Sequence, residues 1–174
     1  MRPSLTRVGR YQRLRGLGGR PSAHQVPLYL VAARTKARKR ALDILFEADQ
    51  RGENIVAVLD DRLNDSGRET PLPEYSEQLV RGVARRWLEL NTLIEQASPN
   101  WTLSRMPAVD RAILRIGAWE ILDNPDVATA VAIDEAVELA RDLSTADSPA
   151  FINGILGTIA RDAPALPQND PDAD

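Results

Sequence analysis

From Thr35 to about residue 161 the apolar residues recur at intervals of three and four, and no stretch alternates apolar and polar residues with a period of two. A chain patterned in this way buries its apolar surface as packed amphipathic helices, so the fold class is all-α, with about seven helices. The first follows the basic string KARKR, with Ala41, Leu42, Leu45 and Phe46 on one face. A second spans Ile55 to Leu63 and ends in the polar loop NDSGRETPLP. A third and longer helix runs from about Glu74 to Ala97, with Tyr75, Leu79, Val83, Trp87, Leu90 and Ile94 as its stripe. A short turn over Trp101 to Arg105 leads to Pro107, which suits the first position of a helix carrying Val109, Ala112, Ile113, Ile116 and Trp119 and ending at Asn124 and Pro125. Ile133, Ala136, Val137 and Ala140 mark the next helix, and Ile152, Ile155, Leu156 and Ile159 the last, with Ser148 as its N-cap and Pro149 in its first turn. No repeat of fixed period is visible, which argues against a helical solenoid.

Composition changes sharply along the chain. The first 40 residues hold nine arginines, two lysines and no acid, whereas the other 11 bases face all 25 acids, so a +11 segment precedes a −14 body and the whole carries −3. Residues 1–33, with scattered glycines and prolines, read as a disordered basic extension; residues 34–163 as the helical domain; residues 164–174 as a disordered acidic tail. Within the domain, 34–97 form a three-helix N-terminal part and 98–163 a helical C-terminal part. A basic arm on an acidic body suits a chain that holds a polyanion by one end; a basic presequence would show the same asymmetry.

There is no cysteine, and the one histidine, His24, lies in the extension. Disulfide scaffolds, thiolate zinc sites and histidine-dependent nucleophilic catalysis are thereby excluded, and the sequence arranges no catalytic residues, metal ligands or cofactor-binding loop. The absence of cysteine fits a reducing compartment such as the cytoplasm, and no run approaches the 18 or so apolar residues of a membrane span, so the chain reads as soluble with no membrane partner.

The strongest chemical signal is the cluster Arg34, Lys36, Arg38, Lys39 and Arg40. Guanidinium groups grip phosphates through paired hydrogen bonds, and cations crowded at a helix start oppose the macrodipole unless an anion joins them. The alternative is a solvated basic tail. Phe46 is either core or a platform for a base, and the face it shares with Leu42 and Leu45 favours core; Phe151, one residue off the stripe that starts at Ile152, carries the same ambiguity. Trp87, Trp101 and Trp119 read as core. Asp134, Glu135 and Glu138, with Arg141 three residues on, read as a solvated face rather than a metal site, and Gly154 and Gly157 as close helix contacts.

The segments ARKRALDILFEAD, LVRGVARRW, WTLSRMPAVDRAILRIGAWEIL, AIDEAVELARDLS and DSPAFINGIL together, over residues 34–160, resemble the NusB family of bacterial transcription antitermination factors. The resemblance implies two small helical subdomains and no catalysis. It implies binding of single-stranded boxA RNA in ribosomal RNA transcripts, with ribosomal protein NusE as partner, within a transcribing RNA polymerase complex; homodimers also occur in the family. Carried over residue by residue, it makes Arg34, Lys36, Arg38, Lys39 and Arg40 the phosphate-gripping motif, adds Phe46, Asp147 and Phe151 to the RNA surface, and puts NusE along the helix of Asp110, Arg115 and Glu120. The extension before residue 34 departs from the family pattern, as does Asp134, where asparagine is common. Two other readings fit the same segments: a structural homodimer with an inert arm, and an RNA-binding domain like those of certain RNA methyltransferases, here without the catalytic half.

Overall fold

The structure, a computed structural model, describes residues 28–65 and 70–163. Among these residues are seven α-helices and no strand: α1 (Leu28–Arg51), α2 (Ile55–Asn64), α3 (Glu74–Arg85), α4 (Trp87–Ala97), α5 (Ala108–Asp123), α6 (Thr129–Leu143) and α7 (Ser148–Asp162). A single 3-10 turn, Leu103–Arg105, precedes α5. Most of the basic extension, His24 included, and the acidic tail lie outside the described residues.

The helix carrying the basic string begins at Leu28 rather than Thr35. Leu28 to Ala33 contain neither glycine nor proline, so nothing interrupts the helix behind Thr35, and these six residues belong to α1 instead of the extension. The cations consequently sit two to three turns inside α1, away from the unsatisfied N–H groups, and the macrodipole gives no reason for an anion there. At the other end Gly52, with φ 65°, takes the left-handed conformation that stops α1, and the Glu53 amide donates to the Ala48 carbonyl at 2.9 Å. Asn54 then caps α2 by accepting from the amides of Val56 and Ala57.

The long third helix of the sequence reading is two helices. The chain turns at Arg86 (φ −111°, ψ 21°), where neither glycine nor proline marks a break. Packing differs on either side of the turn, α3 lying against α1, α2 and α5 while α4 packs on α5 and α7, and the Arg86 guanidinium at the turn reaches Glu89 at 2.5 Å and Asp123 of α5 at 2.5 Å. The N-cap positions also shift by one. Pro107 caps α5 rather than opening it, and Asp147 stands at the N-cap of α7 because the Ser148 hydroxyl is turned inward to Asp110.

α5 is the axis of the molecule. Every residue from Ala112 to Ile121 is buried, and α1, α3, α4, α6 and α7 all pack on it. One apolar cluster therefore runs from Ala41 to Ile159 through both halves of the chain. Two glycines permit the closest approaches: a Cβ on Gly82 would lie 2.2 Å from the Trp119 ring, and one on Gly117 2.6 Å from Leu156. Gly154 and Gly157, in contrast, face open space, so they are not the close contacts their spacing implied.

Candidate nucleic-acid interface

The five cations of the basic string divide by helical geometry. Positions 36, 39, 40 and 43 stack on one outward face of α1, while 34, 37, 38 and 41 turn towards the body. Lys36 and Arg40 are exposed, and Lys39 is close to half exposed. Arg40 lies 3.5 Å from Asp43, and Lys39 2.8 Å from Asp142 at the end of α6, an ion pair that holds the Asp142 carboxyl below its usual range. Exposed pairs of this kind contribute about 0–1 kcal/mol, so a phosphate can displace the carboxylate at little cost.

Arg38 is different, and the expectation that it grips RNA is corrected. Its side chain is 2% exposed. Nε and Nη2 donate to the Glu120 carboxylate at 2.8–3.1 Å, and Nη1 lies 3.3 Å from Glu135. Burial alone would lower its pKa, but the hydrogen bonds and charge of Glu120 outweigh that and raise it. The Tyr75 hydroxyl also donates to Glu120, and Asn124 donates to Tyr75 at 2.9 Å. Burial, followed by the Glu120 charge, pushes the phenol pKa well up, so Tyr75 stays a donor. Thr35 closes the network by donating to Glu135 at 2.8 Å, which takes Glu135 out of the solvated face assigned to it. Arg34 is half-buried beside this network, 5.3 Å from the centre of the Tyr75 ring and donating to the Asp126 carbonyl at 3.1 Å.

Of the aromatics, Phe46 is 37% exposed, on the flank of the Lys36–Arg40 face. Phe151 is half-buried in the first turn of α7 and meets the Trp101 ring edge-on at 5.3 Å. Trp101 is 39% exposed, which corrects its reading as core and is the aromatic the sequence missed; its place in a loop beside Pro99, outside any periodic stripe, is the signal that could have found it. Asp147 is exposed and its side chain caps no amide. The Lys39–Asp142 pair brings the basic face to the end of α6, five residues before Asp147, so the two segments lie on neighbouring parts of the surface.

The three α5 residues assigned to a partner face are buried. Asp110, Arg115 and Glu120 are 2%, 5% and 1% exposed. Asp110 accepts from Ser144 at 2.5 Å and Ser148 at 2.8 Å, fastening the loop between α6 and α7, and Glu120 belongs to the Arg38 network. Among the described residues no three carboxylate or histidine groups are placed to hold a metal, and no helix is long and apolar enough to cross a membrane.

Residues 35–161 match the profile of the NusB family. The chain belongs to the NusB family. Its relatives include the transcription antitermination protein NusB of Beutenbergia cavernae, 52% identical over 144 residues that cover 78% of this chain and 94% of the relative. That of Nocardioides sp. is 51% identical over 136 residues, covering 78% and 99%. Among solved structures, NusB of T. maritima is 30% identical with a TM-score of 0.66, covering 75% of this chain and 92% of that one. A structure of NusB and NusE in complex with double-stranded RNA has the same fold, with a TM-score of 0.65 at 24% identity over 75% of this chain and 97% of that one. The all-α architecture is thus the NusB fold, and the matched span starts within α1, at Thr35.

Proposed function

We propose that this NusB-family chain is an RNA-binding antitermination adaptor that takes single-stranded boxA RNA of ribosomal RNA transcripts together with ribosomal protein NusE and acts on the elongating RNA polymerase in the cytoplasm, without catalysing a reaction. The observation that carries the reading is the outward face of α1, where Lys36, Lys39 and Arg40 stand together beside the exposed Phe46 on an otherwise acidic body. The three cations would follow consecutive phosphates, and Phe46, with Phe151 and Trp101 further along, would stack on unpaired bases, which single-stranded RNA offers and a duplex does not. Arg34 and Arg38 serve this face from behind by holding α1 in place. The relatives named as antitermination proteins and the NusB–NusE–RNA structure support the partner assignment.

The test is a titration of a boxA RNA and a scrambled RNA, with and without NusE, at two salt concentrations. Preferential boxA binding that NusE strengthens is the expected result. Phe151→Ala should weaken it without changing its salt dependence, because stacking releases no counterions. Equal, weak and wholly salt-governed binding of both RNAs would sink the adaptor reading and leave the homodimer.

A further inference from the structure

α1 begins before the part of the chain that the NusB profile matches, its first turns, Leu28 to Arg34, preceding Thr35. They carry the most exposed aromatic side chain among the described residues, Tyr29, at 70%. Seven residues are almost two full turns, so Tyr29 falls on the outward face of Lys36 and Arg40, about 10 Å along the helix from Lys36. Between them on that face stand only Ala32 and Ala33, both exposed. Their side chains are single methyl groups, so no neighbour on the face shields the tyrosine ring.

The other exposed apolar residues of these turns point elsewhere. Leu30 and Val31 follow Tyr29 at successive steps of about 100°, and Val31 shares the side of Thr35, whose hydroxyl donates to Glu135 of α6. The three therefore form no apolar stripe that would receive a helix of another protein. Charge marks the outward face instead: α1 has no acid before Asp43, while Lys36, Lys39 and Arg40 follow Tyr29. An open aromatic ring in line with cations is the pairing by which proteins hold single strands, the cations tracking the backbone and the ring taking a base.

From this we infer that Tyr29 is a stacking platform for an unpaired base of the bound RNA, next to the stretch held by Lys36, Lys39 and Arg40, so that the first turns of α1 lengthen the RNA site beyond the family span. Charge complementarity selects the occupant, because a polyanion drawn to the three cations brings its neighbouring base to the ring. The inference rests on the reading of α1 as the RNA face. It does not rest on boxA selectivity, since every base has a face to stack and stacking on an aromatic tolerates any sequence.

Affinity is measured for the full chain with a boxA RNA extended by three uridines at its 5′ end, with one extended at its 3′ end, and with counterparts in which the added positions are abasic. At one of the two ends the wild-type chain should hold the uridine form about fivefold more tightly than the abasic form, the low end for a base stacked on an aromatic. Tyr29→Ala should bind the two forms alike, and its salt slope should equal that of the wild type, because no phosphate contact is lost. Tyr29→Phe should keep the difference. Alanine is the stronger helix former, so a loss in Tyr29→Ala does not come from a weakened α1. No difference between the forms at either end, or a difference that survives in Tyr29→Ala, overturns the proposal. If extended boxA and extended scrambled RNAs bind alike, the adaptor reading falls, and the comparison of uridine with abasic forms still decides the role of Tyr29.

Discussion

Arg38 and Arg115 illustrate how little a residue type fixes its role. Both are long cations on helices that read as amphipathic, yet one completes a network with Glu120, Glu135, Tyr75 and Thr35 while the other donates to the neutral Asn91 amide over the Trp87 ring, with the Asp49 charge acting from beyond ion-pairing distance. Removing Arg38 strands the Glu120 carboxylate in the core, a change that costs about 3–5 kcal/mol where measured in other proteins. Arg38→Met should therefore lower the urea midpoint severely, and any loss of RNA affinity should follow the unfolded fraction; normal stability with lost binding would restore Arg38 to the RNA surface. Gly82→Ala gives a second test. The added methyl meets the Trp119 ring, so overpacking of about 1–3 kcal/mol should exceed the roughly 1 kcal/mol gained in helix propensity, read as a lower thermal midpoint.

At the scale of elements, periodicity located most helices because the buried stripes of α2, α5, α6 and α7 are regular. It missed what contacts between elements decide. The start of α1 was obscured by charge and composition, and the break at Arg86 carries no glycine or proline and falls where the chain passes from the packing of α3 on α1 and α2 to that of α4 on α7. Within the basic string the sequence showed five equivalent cations, while the register of α1 separates three that face outward from two that face the body. That register makes a prediction: Lys36→Ala and Arg40→Ala should each leave thermal stability unchanged and reduce the slope of log K against log salt by about 0.7, the value for one phosphate contact on a single strand. An unchanged slope in both variants would remove α1 from the RNA path.

For the whole molecule, the fold class was legible in the sequence, whereas the burial of the polar residues of α5 was not. Asp110, Arg115 and Glu120 are polar residues on a helix, and polarity ordinarily means solvent; only the packing of five helices around α5 shows that each is internal. Their polar groups are instead the fastenings of the assembly: Asp110 to the α6–α7 loop, Glu120 to α1, and Arg115 to α4. The anchoring of α1 through Arg38 has a practical corollary. A synthetic peptide copied from residues 34–46 would retain every charge of the basic string but would release Arg38 from Glu120 and add it to the cations offered to RNA. Cut from the body, the peptide is too short to hold a helix in water, and it should bind any polyanion with little regard for sequence. Selectivity, on this view, belongs to the orientation that a buried arginine imposes on its neighbours and cannot be transplanted with the string.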